Sequence, residues 1–324
     1  MATVLLTFPI PQSCRDRLAD AFDVKEAIWA EGEGLINAAR GCEGALTGTE
    51  QWPRAIFDAV APPLRAIARF GTGTDAVDLA AATEHGVAVC NTPGANAQAL
   101  AEFAVGLMWA LSRQITLADK SIRTSGFEMR TKLGGVDLNE KTVGIVGFGE
   151  AGSRVGRICQ HGFGMRVLVN TARPDPKRLS AAGIDGRMVA LPELLRESDF
   201  VTLHLPVTET SRGLIGRREL ELMRPGAYLV NVSRGALIDS QAVADALKAK
   251  SLNGYGTDVY EVEPPPTDHP LFGAPNTILA PHYSGHTTEG LRHMGDQAVE
   301  NLVEALNGRR PKYAVNPDVF GASK

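Results

Sequence analysis

Short apolar runs alternate with amphipathic stretches along almost the whole chain. Such runs, bounded by glycine, proline or polar residues, predict buried strands, and the stretches between them predict helices that cover a parallel sheet. The pattern therefore predicts an α/β protein with doubly wound parallel sheets. The predicted strands are Val4–Phe8, Gly44–Gly48, Leu64–Phe70, Val87–Asn91, Val143–Val146, Met165–Asn170, Phe200–Leu205, Ala227–Val232, Gly254–Val259 and Thr277–Ala280.

The amphipathic stretches also indicate how the chain is divided. The stretch Ala97–Arg113 is apolar at helical spacing and separates the first group of strands from the second, so it is predicted to connect two domains. The last stretch, Gly290–Asn307, is predicted to return to the first domain, which makes that domain discontinuous. Further helices are predicted at Asp78–His85, Ala151–Cys159 and Ser240–Lys250.

Composition narrows the range of partners. The 324 residues carry a formal net charge of -4, without the basic excess that binding to a phosphate backbone requires, so nucleic acid is excluded. No apolar run is long enough to cross a bilayer and the first residues lack a basic signal-peptide region, so we expect no membrane association and a cytoplasmic location. The chain has four cysteines, at Cys14, Cys42, Cys90 and Cys159. Because they lack paired spacing, the sequence argues against a metal cluster or a disulfide framework.

A glycine turn follows the strand Val143–Val146 and opens a helix. In this context Gly147 permits a tight turn, Gly149 lets the backbone approach a pyrophosphate, and Gly152 lets helix and strand pack closely. The phosphates then lie at the positive end of the helix dipole. The turn predicts a dinucleotide cofactor.

The second strand after the turn bears on which dinucleotide binds. In NAD-binding proteins of this type that strand ends in an acidic residue that binds the adenosine ribose, roughly twenty positions past the glycines. Here it ends at Asn170, and Arg173 follows. A neutral amide with a nearby guanidinium can accept a 2′-phosphate, so we expect NADP(H) in preference to NAD(H). The alternative is that Arg173 is a solvated charge and that Asn170 binds NAD.

Three later loops carry candidate catalytic side chains. Arg234, Glu263 and His282 each follow a predicted strand, and the carboxyl ends of parallel strands face the ligand crevice. An arginine can hold a carboxylate and polarise the adjacent carbonyl, while a histidine can deliver a proton to its oxygen. A glutamate beside that histidine favours the imidazolium. Together the three predict a reductase for a 2-keto acid.

Longer motifs then identify the chain as similar to the D-isomer-specific 2-hydroxyacid dehydrogenase family over nearly its whole length. The resemblance implies a Rossmann-type dinucleotide-binding domain (residues 99–287) inserted into a flavodoxin-like substrate domain (residues 1–98 and 288–324). It also implies a homodimer. The motifs, besides the glycine turn, are Arg69–Asp75, Asn91–Gly94, Leu203–Pro206, Asn231–Asp239, Asp258–Tyr260 and Pro281–His282.

The same resemblance implies roles for individual residues. Arg234 binds the substrate, His282 is the acid or base, Glu263 pairs with it, and the backbone at Thr72 and Gly73 receives the substrate carboxylate. The implied cofactor contacts are Ala151 and Gly152 at the pyrophosphate, Leu205 and Pro206 on the adenosine side, and Val232, Ser233 and Asp258 at the nicotinamide end, with Ser284 and Gly285 close by.

The sequence also departs from parts of the family. The segment from His282 to Thr287 is similar to the formate dehydrogenase branch, but that branch has Gln where this chain has Glu263, and Gln cannot support an imidazolium. Glu263 therefore favours keto-acid chemistry. His286 stands where relatives commonly have a small residue; it is interpreted either as reaching the nicotinamide or as an ordinary residue at a helix start.

Substrate choice remains open within the family. Reduction of glyoxylate or hydroxypyruvate is the first hypothesis, and oxidation of 3-phosphoglycerate is the second. Arg69 and Lys132 could bind a phosphate, or could be solvated charges, and the chain ends too soon for an appended regulatory domain. A third hypothesis is a nucleotide-sensing corepressor, because that class keeps the same three catalytic side chains.

Overall fold

A computed structural model describes residues 1–321 and divides into two compact units. One unit comprises Met1–Asn96 together with the chain from His286 onward, and the other is Ala97–Gly285. The predicted domain boundaries fall two residues later in the chain, at 98/99 and 287/288. Residues 322–324 of the predicted second segment lie outside the described residues.

The first unit contains a five-stranded parallel sheet in the order β2-β1-β3-β4-β5, which is the flavodoxin-like order. Successive residues of β1 face opposite sides of the sheet: Val4 and Leu6 pack in one apolar cluster, and Leu5 packs in another. The sheet is therefore buried on both faces, as the continuous apolar runs predict. Its strands are β1 (Thr3–Leu6), β2 (Asp23–Glu26), β3 (Gly44–Thr47), β4 (Ala66–Arg69) and β5 (Ala88–Cys90).

Five α-helices cover this sheet. The last of them packs its buried Leu302 and Ala298 into the same cluster as Val4, so the end of the chain completes the core of the first unit. The helices are α1 (Gln12–Ala21), α2 (Gly32–Ala39), α3 (Arg54–Val60), α4 (Leu79–Glu84) and α12 (Thr288–Leu306), with a 3-10 turn at Pro317–Phe320.

The second unit contains a seven-stranded parallel sheet in the order β12-β11-β10-β9-β6-β7-β8. Its first six strands in chain order follow the Rossmann arrangement, in which the strand order reverses beside the first strand. That reversal lies between β6 and β9. The strands are β6 (Thr142–Val146), β7 (Arg166–Asn170), β8 (Gly186–Met188), β9 (Phe200–Leu203), β10 (Ala227–Asn231), β11 (Leu252–Thr257) and β12 (Thr277–Leu279).

Helices lie on both faces of this second sheet. Val143 and Ile145 of β6 pack in one apolar cluster, while Val146 packs in the cluster on the opposite face. The helices are α5 (Ala97–Ser112), α6 (Ile115–Ser125), α7 (Glu150–Phe163), α8 (Lys177–Ala181), α9 (Leu191–Glu197), α10 (Arg217–Leu222) and α11 (Ser240–Lys248), with 3-10 turns at Gly126–Thr131, Gly235–Leu237 and Pro270–Gly273.

All ten predicted strands are present, although most are shorter than predicted. Two further strands, β2 and β8, were not predicted because each is short, polar and at the edge of its sheet. Among residues 1–321, no helix is long and apolar enough to span a bilayer, and no group of three His, Cys, Asp or Glu side chains is placed to hold a metal ion. All four cysteines are buried and free.

Candidate active site

The glycine turn lies where the strand order of the second sheet reverses. Gly147 has a φ of +95°, and a Cβ there would lie 2.2 Å from the backbone oxygen of His204, just after β9. A Cβ on Gly152 would lie 2.2 Å from the backbone oxygen of Gly147. Only glycine fits at these two positions, so α7 begins directly against the turn. In open α/β sheets this is where ligands bind.

Gly149 differs from its two neighbours because it has open space beside it. No atom lies within 4 Å of the position that a Cβ would take, so a phosphate can approach this backbone. The next residues, Ala151 among them, belong to the first turn of α7, whose N–H groups have no partner within the helix. The carboxylate of Glu150 is paired with Arg154 at 2.6 Å, which offsets the one acidic charge at this helix start. The residues present therefore fit a dinucleotide pyrophosphate.

The end of β7 places the residues predicted to recognise the adenosine ribose. The amide nitrogen of Asn170 donates a 2.9 Å hydrogen bond to the backbone oxygen of Val189, which leaves its Oδ1 to accept from a ribose hydroxyl. Arg173 is exposed and makes no ion pair within residues 1–321. Its guanidinium is thus available to an anionic ligand.

Arg178 was not among the predicted site residues. Its guanidinium donates to the backbone oxygen of Phe148 in the glycine turn and lies 5.7 Å from the centre of the Phe148 ring. This arrangement depends on α8, a five-residue helix that the hydrophobic pattern did not predict. The guanidinium of Arg178 therefore lies beside the turn.

The loops after β9 and β10 are held together by a hydrogen bond. The hydroxyl of Ser233 donates to the backbone oxygen of Leu203 at 2.7 Å, and Val232 beside it is buried. Leu205 and Pro206 are predicted for the adenosine side and follow β9; Leu205 is partly buried and Pro206 is exposed. These contacts fix the backbone on which the predicted cofactor residues lie.

The three predicted catalytic residues follow three neighbouring strands, β10, β11 and β12. Nδ1 of His282 lies 2.5 Å from Oε2 of Glu263, and Oε1 of Glu263 accepts a 3.0 Å hydrogen bond from the backbone N–H of Tyr260. The His282 side chain is 43% exposed, and its Nε2 makes no hydrogen bond within the described chain. One ring nitrogen is therefore oriented by a carboxylate, while the other can reach a ligand.

The electrostatics of this pair favour a charged carboxylate. Burial alone would raise the pKa of Glu263, but the hydrogen bond and charge of His282, the N–H of Tyr260 and the charge of Arg234 outweigh it, and the pKa of Glu263 is lowered. The carboxylate is thus ionised at neutral pH. In that state it stabilises a protonated His282 ring.

Arg234 lies on a loop that directly contacts the Glu263 loop. Its Nη1 donates to the backbone oxygen of Ser233 at 2.7 Å, and its own backbone oxygen accepts from the amide of Asn231 at 2.8 Å. A Cβ on Gly235 would lie 1.9 Å from the backbone carbon of Tyr260, so these two loops meet without space for a side chain.

Asp258 anchors the loop that carries His282. It is fully buried, and its two carboxylate oxygens accept from the backbone N–H groups of Tyr283 at 2.9 Å and Ser284 at 2.8 Å. The contact with the nicotinamide that the resemblance implies for Asp258, Ser284 and Gly285 stays a prediction. The observed hydrogen bonds assign Asp258 a role in loop geometry that spacing could not indicate.

His204 is excluded as a proton donor at neutral pH. Burial lowers its pKa to about 4, and its Nε2 lies 2.9 Å from the hydroxyl of Thr202. Another histidine, His269, contacts Glu261 at 3.3 Å, but its side chain is only 7% exposed. His282 is therefore the histidine that combines a carboxylate partner with access to a ligand in this group of loops.

In the first unit, the predicted carboxylate-binding loop is fixed from the neighbouring strand. The amide of Asn91 donates to the backbone oxygen of Thr72 at 2.7 Å, and the N–H of Gly71 donates to the hydroxyl of Thr92 at 3.0 Å. The N–H groups of Thr72 and Gly73 donate no hydrogen bond within residues 1–321. Two adjacent backbone donors are thus available to an anion.

Two other residues singled out in the sequence also lie in the first unit. The ring of His286 packs edge to face against that of Phe8, with centroids 6.5 Å apart. In the sequence, His286 comes directly before Thr287, which caps the start of α12. Nη1 of Arg69 donates to the backbone oxygen of Phe70 at 3.2 Å. The hypothesis that Arg69 and Lys132 bind a phosphate remains a prediction.

Comparison with known proteins agrees with this geometry. The model of the NAD binding domain of D-isomer specific 2-hydroxyacid dehydrogenases matches residues 105–284. The chain belongs to this family. As a D-2-hydroxyacid dehydrogenase, it is an NAD(P)-dependent oxidoreductase, and the resemblance read from its motifs is confirmed.

Individual dehydrogenases of the family match over most of the chain. A glyoxylate reductase of Thermococcus litoralis is 38% identical over 333 residues, covering 99% of this chain and 98% of its own. A solved glyoxylate reductase from Paecilomyes thermophila has a TM-score of 0.85 at 29% identity, covering 97% of this chain and 98% of that one. A D-3-phosphoglycerate dehydrogenase of Archaeoglobus fulgidus is 33% identical over 97% of this chain, which corresponds to 59% of its own length.

Proposed function

We propose that this dehydrogenase reduces a small 2-keto acid of the glyoxylate or hydroxypyruvate type to the D-2-hydroxy acid. The proposal depends above all on the 2.5 Å contact between Nδ1 of His282 and Oε2 of Glu263, with Nε2 of His282 left available. A carboxylate-supported histidine is the group needed to protonate a carbonyl oxygen. The glyoxylate reductases among the relatives support the same substrate class.

Each catalytic residue then has a distinct task. The guanidinium of Arg234 holds the carboxylate of the keto acid and polarises the neighbouring carbonyl. His282 donates the proton from Nε2 to the carbonyl oxygen, and Glu263 keeps the ring oriented and stabilises its protonated form. For the backbone of Thr72 and Gly73 the family resemblance implies a contact with the substrate carboxylate. When bound, the reduced nicotinamide supplies the hydride.

We propose NADP(H) as the preferred cofactor. The proposal is supported by the absence of a carboxylate at Asn170, by the unpaired Arg173 and by Arg178 beside the glycine turn. A carboxylate at the end of β7 would repel a 2′-phosphate, whereas guanidinium groups bind one through charge-assisted hydrogen bonds. Pyrophosphate binding is assigned to Gly149 and the first turn of α7.

Oxidation of 3-phosphoglycerate is the second candidate function. It is favoured by one observation, the 33% identity to a D-3-phosphoglycerate dehydrogenase over 97% of this chain. In that case a cationic side chain such as Arg69 or Lys132 would bind the substrate phosphate.

Initial rates with a panel of substrates test the proposal and its alternative. The purified chain is assayed with NADPH and NADH against glyoxylate, hydroxypyruvate and pyruvate, and with both oxidised cofactors against 3-phosphoglycerate. We expect reduction of at least one of the small keto acids to exceed oxidation of 3-phosphoglycerate. Turnover of 3-phosphoglycerate alone would support the second candidate, and binding of nucleotide without any turnover would reject both.

We further propose a homodimer in the cytoplasm. The second unit exposes large apolar side chains on α5, α6 and the following 3-10 turn: Trp109 is 49% exposed, Ile122 49% and Phe127 77%. Large apolar side chains exposed on consecutive elements are typical of interaction surfaces. Sedimentation equilibrium should report the mass of two chains, and the mass of one chain would contradict the proposal.

The proposed cytoplasmic location is supported by the cysteines, which are free and buried, as is usual for proteins of a reducing compartment.

A further inference from the structure

Glu261 connects three loops around the candidate active site. It lies between Tyr260, whose N–H binds Glu263, and Glu263 itself. Its Oε1 accepts a 3.2 Å hydrogen bond from the backbone N–H of Ser240, the first residue of α11. Its Oε2 lies 3.3 Å from Nε2 of His269. One carboxylate thus joins the Arg234 loop, the Glu263 loop and the segment before Pro270–Gly273.

His269 is built to donate to this carboxylate. Its Nδ1 accepts from the backbone N–H of Leu271 at 3.4 Å, which leaves the ring proton on Nε2, facing Glu261. The ring is buried and packs edge to face against Tyr260, with centroids 5.5 Å apart. It also packs at a tilt against Phe272, with centroids 5.5 Å apart. The ring therefore cannot turn freely away from Glu261.

The position of Glu261 affects the backbone of both catalytic loops. A Cβ on Gly235 would lie 2.3 Å from the backbone nitrogen of Glu261, so the peptide before Glu261 rests directly on the loop of Arg234. The same peptide follows Tyr260, whose N–H fixes Oε1 of Glu263. A shift of this peptide would move the Glu263 carboxylate relative to His282.

We infer that Glu261 is a positioning residue that acts through Glu263. Its carboxylate is offered two donors, one at the positive end of α11 and one on a buried ring, and these hold the Tyr260–Glu263 segment against the Arg234 loop. Glu261 need not touch the substrate. It keeps the Glu263 carboxylate within hydrogen-bond distance of His282. This inference rests on the proposed function.

A double-mutant cycle tests whether Glu261 acts through Glu263. Glu261→Ala and Glu263→Gln are made singly and together, with Val262→Ala as a matched control, since Val262 is 66% exposed and lies between the two glutamates. Because misplacing a catalytic group by about 1 Å can cost up to about 100-fold in rate, we expect Glu261→Ala to lower kcat for the keto acid about 10-fold. In the Glu263→Gln background the same change should lower kcat less than about twofold.

Further variants and a stability readout separate positioning from general damage. In Glu261→Gln the amide oxygen can still accept the hydrogen bond from Ser240, but the amide nitrogen cannot accept the one from His269. We therefore expect a loss of kcat smaller than that of Glu261→Ala. The melting temperature of each Glu261 variant should stay well above the assay temperature, and the affinity for reduced cofactor should match that of Val262→Ala. An equal loss of kcat in both backgrounds, or a loss that only follows a lowered melting temperature, would overturn the inference. An inactive wild-type chain would instead reject the proposed function.

Discussion

The imidazole Nδ1 of His282 lies 2.5 Å from Oε2 of Glu263, although 18 residues separate them along the chain. Two neighbouring strands, β11 and β12, bring their loops to one edge of the second sheet. The contact commits Nδ1 to the carboxylate and leaves Nε2 as the atom that can serve a ligand. The proton chemistry of the site follows from this pairing.

Replacing Glu263 by Gln should change the pH dependence of reduction. The pKa of Glu263 is lowered, so its negative charge persists through neutral pH and favours the protonated His282 that reduction needs. Without that charge, we expect kcat in the reductive direction to decline at a lower pH than in the wild type. Rates measured from pH 5 to pH 9 check this, with the exposed Glu221→Gln as control. An unmoved profile would remove Glu263 from the proton-transfer step.

Replacing Arg234 by Lys should mainly weaken binding of the keto acid. An ammonium cannot reproduce the planar guanidinium that binds a carboxylate through two hydrogen bonds. Since a hydrogen bond to a charged group contributes about 1.5–3 kcal/mol, we expect KM for the keto acid to rise about 10- to 100-fold. Arg212→Lys, on an exposed loop of the same unit, is the control for loss of a surface guanidinium. Unchanged saturation by the keto acid would exclude Arg234 from the substrate site.

Two substitutions at the end of β7 should reverse the cofactor preference. Arg173→Ala removes an exposed guanidinium, and Asn170→Asp introduces the carboxylate that binds ribose hydroxyls and repels a 2′-phosphate. We expect the double variant to bind NADPH at least about 10-fold more weakly while its affinity for NADH holds or improves. Dissociation constants from fluorescence titration of both cofactors provide the comparison. A wild-type chain that already prefers NADH would reject the proposal.

The sequence predicted the features that depend on local pattern. Apolar runs indicated the buried strands, and the spacing of Gly147, Gly149 and Gly152 indicated a turn that the structure places where the sheet order reverses. Strand β2 escaped prediction because an exposed edge strand with the sequence Asp-Val-Lys-Glu has no continuous apolar run.

Non-local hydrogen bonds could not be predicted in the same way. Asp258 binds backbone N–H groups 25 and 26 residues further along the chain, and Glu261 binds Ser240, 21 residues before it. Such partners depend on how loops from different strands meet. Arg178 was missed for a related reason, since a short helix brings it back to the glycine turn. The sequence indicated the groups that do the chemistry, and the fold was needed to find those that orient them.

Reduction of glyoxylate by the wild type and by His282→Ala tests the central claim most directly. Loss of the proton donor should lower kcat by about 10²- to 10⁴-fold, while the dissociation constant of the reduced cofactor stays within about twofold, because only proton delivery is removed. The rate is followed as the loss of absorbance of the reduced nicotinamide. A His282→Ala variant that reduces glyoxylate as fast as the wild type would contradict the account.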